Sequence, residues 1–274
     1  MVYERSRRTD ARPRTADHSA LGLRPIPRPM IRTLWFYVAL VVSSVVHSTG
    51  VILAALLGVK RRPGGGGVYD WGTTDWSRQL LRAAGTPVEV EGLDRIPGGP
   101  VVYASNHSSM FDIWALAATL PGSVRMVAKQ ELTKIPLLGR AMVTAGHVMI
   151  DRPHPRRALE AYERAAEVIR SGVSAVVFPE GTRTRTGELL PFKNAPFGLA
   201  IAAQVPVVPL YISNTFEIMP KGRFFLRPRP IRIEVGDPIP TAGLTLDRRQ
   251  ELRDRVHAAI LGLKVRVDAR GAAR

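Results

Sequence analysis

The sequence predicts an α/β domain, a mixed and mostly parallel sheet covered by helices, behind an N-terminal membrane-embedded helical segment. Three observations predict it. Over residues 70–274, short apolar runs rich in Val, Ile and Ala alternate with stretches of helical period. Between Arg32 and Lys60 no residue is charged, a length beyond the ~20 residues that cross a bilayer as one helix. A Pro-Gly-Gly-Gly-Gly run at 63–67 marks a flexible linker over 61–69.

Residues 1–30 are rich in Arg and Pro and lack apolar periodicity, which reads as a disordered basic tail. The apolar segment, residues 31–60, is too long and starts too deep for a cleaved signal peptide. Ser43, Ser44 and the His47–Gly50 stretch interrupt it. Two arrangements fit: one tilted spanning helix, or two shorter helices bending near Ser48–Gly50 and dipping into one leaflet. Arg28 and Arg32 precede it and Lys60, Arg61 and Arg62 follow, so the positive-inside rule favours the hairpin, both ends cytoplasmic. A buried core helix is the weaker third reading at this uncharged length.

The remaining elements follow in order. Trp76–Ala84 reads as a helix and Pro87–Glu91 as an alternating strand. Val101–Ala104 is a buried strand, Ser109–Leu120 a helix, Val124–Ala128 a strand, Pro136–Ala145 a helix and His147–Ile150 a strand. Arg156–Arg170 is amphipathic, Ser174–Phe178 a buried strand, Phe197–Ala203 a helix and Val207–Ile212 a strand. Ile231–Val235 alternates, and Asp247–Leu261 closes the chain as a helix.

Composition narrows the function. The chain has 274 residues and no cysteine, which excludes a disulfide scaffold, thiolate-held metal and a cysteine nucleophile. Against 23 acids stand 39 lysines and arginines, a formal charge of +16, so anionic partners are expected. Nucleic acid is the poorer candidate, because aromatics are only 7% and no basic stretch interleaves stacking residues. Lys221, Arg223, Arg227, Arg229 and Arg232 read either as a solvated basic surface or as a contact for anionic lipid.

Three constellations carry chemistry. In Asn106-His107-Ser-Ser109-Met-Phe-Asp112, five steps would put His107 and Asp112 ~140° apart on one regular helix. They meet only if His107 lies in the turn and Asp112 in the helix's first turn, with Ser109-x-x-Asp112 as a capping box. An Asp on one imidazole nitrogen leaves the other to take a proton from a hydroxyl; Asp112 as a plain cap is an equal reading. Phe178-Pro-Glu180-Gly181-Thr182-Arg183 turns out of a strand, where Arg183 offers a fork for phosphate and Gly181 a close backbone approach. Glu180 is placed to orient that arginine or to bind a substrate hydroxyl. Lys129 and Arg152 end strands as further phosphate contacts or as solvated rim charges, and His147 reads as structural.

Together these blocks, with Val207-Val-Pro-Leu-Tyr211, resemble the ordered motifs of the glycerolipid acyltransferases over roughly Pro87–Val235. The resemblance implies that family's α/β fold and transfer of a fatty acyl chain to the free hydroxyl of 1-acylglycerol 3-phosphate. It implies His107 as general base, Asp112 as its partner, and Lys129, Glu180, Gly181, Thr182 and Arg183 as acceptor-binding residues. No metal or cofactor is implied; the co-substrate is a thioester of coenzyme A or acyl carrier protein. The expected partners are a lysophospholipid and an anionic membrane, at the cell membrane with the site facing the cytoplasm. Another acceptor, such as glycerol 3-phosphate, or a lipid-binding protein without catalysis are the alternatives. The pattern lapses at Asn194-Ala195-Pro196, where the family usually has a lysine or similar residue and a glycine, so an altered local backbone path is expected.

Overall fold

The computed structural model describes residues 28–62, 64–151 and 155–272. The basic tail and Arg152 lie outside the described residues, apart from the last few positions before residue 31. The elements run α1 (Arg28–Leu56), α2 (Val68–Ala84), β1 (Val88–Glu91), β2 (Val102–Ser105), α3 (Phe111–Thr119), β3 (Val124–Lys129), α4 (Leu138–Ala145) and β4 (Val148–Ile150). They continue with α5 (Pro155–Arg170), β5 (Ser174–Val177), α6 (Ala195–Ala203), β6 (Val207–Ser213), α7 (Thr215–Ile218), β7 (Ile231–Val235) and α8 (Arg249–Ala272).

Seven strands form one sheet in the order β1-β7-β6-β2-β5-β3-β4, parallel throughout except for the β6–β7 pair. The central β2 and β5 are buried at every position, as expected of strands covered on both faces. Edge strand β1 alternates half-buried and exposed residues. Successive side chains point to opposite faces, so Val101 and Tyr103 join a core with α1, α2 and α3, while Val102 and Ala104 join one with α5, α6 and α8.

This topology gathers one edge. β2, β5 and β3 are parallel neighbours, pairing Ala104 with Val177 and Met126 with Val176. The loops after them leave side by side, where ligands of open α/β sheets bind. β6 lies parallel on the other side of β2 and sends its following segment to the same edge.

The N-terminal segment decides between the two arrangements and corrects one expectation. It is one continuous helix, not two, and the polar residues that suggested a bend face α2. Ser43 Oγ donates to Gln79 Oε1 at 3.0 Å, Trp76 Nε1 donates to Ser44 Oγ at 3.2 Å, and His47 Nε2 meets Asp75 Oδ2 at 3.2 Å. Nor does the glycine run hold the helix apart from the domain. α2 begins at Val68, inside the expected linker, and Phe36 of α1 is fully buried with its ring 5.6 Å from those of Phe111 and Trp114. Gly72 permits the close helix crossing, since a Cβ there would stand 2.4 Å from Val51 Cγ2. The outward flank of α1 stays apolar and exposed at Leu34, Trp35, Val41 and Leu56, and Met30–Leu56 is long and apolar enough to cross a membrane.

Candidate active site

His107 lies in the turn between β2 and α3, and Asp112 in the first turn of α3. The Nδ1 of His107 is 2.8 Å from Asp112 Oδ2. Asp112 is fully buried, and the same oxygen accepts the backbone N–H groups of Ser108 at 2.6 Å and Ser109 at 2.8 Å. The acidic half of the expected capping box is therefore present. The Ser109 hydroxyl oxygen accepts the Phe111 N–H at a long 3.4 Å, and the hydroxyl donates to the Met219 carbonyl at 2.8 Å. The carboxylate orients Nδ1–H toward itself, which leaves Nε2 with a free lone pair. The imidazole stacks on Phe178, centroids 4.0 Å apart and planes 18° apart.

Glu180 holds this turn from behind. Its Oε1 accepts the His107 N–H at 2.6 Å and its Oε2 the Leu190 N–H at 3.1 Å. Thr184 N–H donates to the His107 carbonyl at 2.9 Å. Burial pushes the Glu180 carboxyl from 4.5 up to about 7; the two N–H groups pull it down and nearby Asp112 adds to the rise. The expectation that Glu180 orients Arg183 or touches substrate is thus not what its contacts show: it sets the backbone beneath His107. Gly181 has φ 72°, and a Cβ there would stand 3.0 Å from Lys193 Cε. Its backbone is bent for the loop, and it does not line the cavity.

A cavity of about 330 Å³ opens at this edge. His107, Thr182, Arg183, Lys129 and Lys221 share its lining, Lys221 bonded to Thr182. The rest of the wall is mostly apolar, with Ile113, Trp114, Ala117, Ala141, Ala145 and Val51, and carries Ser48, Thr73 and Ser77 from α1 and α2. It runs between the α1–α2 pair and the layer of α3, α4 and β3. His147 sits in that wall, its Nδ1 accepting the Met126 N–H at 3.0 Å and its Nε2 facing Thr73 Oγ1 at 3.0 Å. Burial first, then Arg125, hold it neutral at about 3, in keeping with a structural role.

Lys129 and Arg183 therefore meet at one cavity mouth with His107, as the sequence suggested. Lys221 is the residue that sequence reading assigned elsewhere. Its Nζ donates to Thr182 Oγ1 at 2.9 Å. Its pKa is lowered by desolvation and then by Arg185, Arg183 and Lys129, which places four cations close together. No spacing flags it, because it arrives by the segment after β6. Among the described residues no cluster of three or more His, Asp or Glu side chains is placed to hold a metal. The lapse at Asn194-Ala195-Pro196 starts α6: the proline occupies its first turn, where the missing N–H has no partner to lose.

Base, orienting acid, cation cluster and apolar cavity suit transfer of a long-chain acyl group to an anionic alcohol. Residues 87–213 match the family model described as Acyltransferase. The chain is 32% identical over 182 residues to the 1-acyl-sn-glycerol-3-phosphate acyltransferase of Cocos nucifera, covering 66% of this chain and 59% of that protein. It is 36% identical over 191 residues to 1-acyl-sn-glycerol-3-phosphate acyltransferase alpha of Homo sapiens, covering 68% of each. The crystal structure of the 1-acyl-sn-glycerophosphate (LPA) acyltransferase PlsC from Thermotoga maritima superposes with a TM-score of 0.74 at 27% identity, covering 88% of this chain and 97% of that one. The chain spans about three-fifths of the length of the first curated relatives it matches.

Proposed function

This chain belongs to the acyltransferase family, and on that premise we propose that it acylates the free hydroxyl of 1-acylglycerol 3-phosphate to give phosphatidic acid. The observation that carries the reading is the His107–Asp112 pair, 2.8 Å apart, at a cavity mouth shared with Lys129, Arg183 and Lys221.

The steps follow from these groups. The three cations receive the acceptor's phosphate, a dianion that arginines and lysines bind by charge-assisted hydrogen bonds. The apolar cavity receives the acyl chain of the donor. His107 Nε2 takes the proton of the acceptor hydroxyl while Asp112 steadies the imidazolium. The oxygen bonds to the thioester carbonyl carbon, the C–S bond breaks, and the thiolate takes the proton back from His107. The serines beside His107 need not act as nucleophiles. The donor is a thioester of coenzyme A or acyl carrier protein.

A membrane location is supported by the exposed apolar flank of α1. The test is a thiol-release assay of the full chain with long-chain acyl-coenzyme A and lysophosphatidic acid in vesicles, with product identified by mass spectrometry. Phosphatidic acid should form, and glycerol 3-phosphate and lysophosphatidylcholine should compete poorly. Equal rates for the wild type and His107→Ala would reject the reading.

A further inference from the structure

We propose that the segment 219–229, between α7 and β7, is a second membrane contact that inserts Phe224 and Phe225 into an anionic bilayer beside the cavity mouth. The purpose of this contact rests on the acyl-transfer reading; the contact itself does not.

Phe224 is 70% exposed and Phe225 62%. An exposed aromatic pair on a structured loop calls for a partner. The segment, Met-Pro-Lys-Gly-Arg-Phe-Phe-Leu-Arg-Pro-Arg, carries Lys221, Arg223, Arg227 and Arg229 and no acid. Arg223, Arg227 and Arg229 are all exposed. Aromatics that project among arginines suit an anionic lipid surface, rings below the headgroups and guanidinium groups among the phosphates.

The loop is held firmly on two sides. Tyr37 Oη donates to the Phe224 carbonyl at 2.9 Å, and Leu226 N–H donates to Thr33 Oγ1 at 3.2 Å. Leu226 is buried between them. Both partners lie on α1, whose exposed Leu34, Trp35 and Val38 are their sequence neighbours. The phenylalanines thus extend the apolar flank of α1 without a break in the fold. At its other end the Met219 carbonyl accepts the hydroxyl of Ser109, two residues past His107.

That double attachment sets a depth. Lys221 precedes Phe224 by three residues, a reach of at most ~11 Å at ~3.3–3.6 Å per residue. Interfacial apolar groups sink ~5–10 Å below the headgroup level. Rings at that depth bring Lys221 and the cavity mouth level with lipid phosphates, where the phosphate of a membrane-resident acceptor lies.

Because the chain has no cysteine, Phe225→Cys takes a single polarity-sensitive fluorophore. Glu251→Cys on α8, across the sheet from α1, serves as control. On vesicles of phosphatidylglycerol and phosphatidylcholine, the label at 225 should shift to the blue and the label at 251 should not. The double variant Phe224→Ser/Phe225→Ser should lose about tenfold in rate on a vesicle-borne acceptor and stay within about twofold on a short-chain, water-soluble one. A label at 225 that still reports water on vesicle-bound chain overturns the proposal. So does a shift of equal size on phosphatidylcholine alone. A shift in a preparation that acylates nothing upholds the contact while refuting the acyl-transfer reading.

Discussion

The Glu180 carboxylate accepts the backbone N–H of His107 at 2.6 Å across 73 residues of sequence. Thr184 N–H donates to the carbonyl of the same residue at 2.9 Å. The two motifs are therefore one assembly: the loop after β5 clamps the turn after β2, and the imidazole rides on that clamp.

Replacing His107 with Ala removes the base and should lower kcat by ~10³-fold or more, within the range of general acid–base catalysis and triad loss. Asp112→Asn keeps the shape but offers an amide where three N–H groups converge on one oxygen. It should lower kcat by at least ~10²-fold and also lower the melting temperature. Thiol release and thermal melts read both effects.

Glu180 should reveal itself through pH. Its folded carboxyl titrates near 7 rather than 4.5, because burial favours the protonated form. The folded state holds this proton more tightly than the unfolded one. The stability it contributes is full below about 4.5 and is lost as pH rises through about 7. The difference in melting temperature between wild type and Glu180→Gln should shrink across that window. A positioning role also predicts a fall in kcat with little change in acceptor KM.

Lys221→Ala should raise the KM for lysophosphatidic acid about tenfold, ~1.4 kcal/mol of lost phosphate binding, with kcat within about twofold. Lys221→Arg should recover most of it. Acceptor titrations at two salt concentrations measure the loss, and the variant should show the weaker salt dependence.

Ala141 lines the cavity from α4 and is buried. Ala141→Leu should shorten the space for the acyl chain and cost long-chain donors about tenfold in kcat/KM against shorter ones. Crowding should cost ~1–3 kcal/mol of stability, visible as a lower melting temperature. Competition between donors of different length, read by mass spectrometry, checks the preference.

Much of this was legible in the sequence. Alternating patterns and short buried runs located all seven strands within a residue or two, because strand burial and side-chain period are local properties. The start of α2 was missed: Val68 follows glycines, and Gly72 and the two threonines after it weaken the helical signal. The polar gap in α1 fits a bend or a straight helix, because sequence alone does not say what faces it; the structure seats it on α2.

The sequence by itself placed His107 and Asp112 within reach of each other across a turn and a first helical turn, with a plain helix cap as the equal reading. It also determined the Arg183 loop and the Lys129 strand end. Only the tertiary structure decided that Glu180 points inward to the His107 backbone rather than outward, that Lys221 joins Lys129 and Arg183 at the cavity, and that α1 lies against the domain. These depend on strand order: parallel neighbours far apart in sequence bring their trailing loops to one edge, and which side chain then fills which gap is settled by packing.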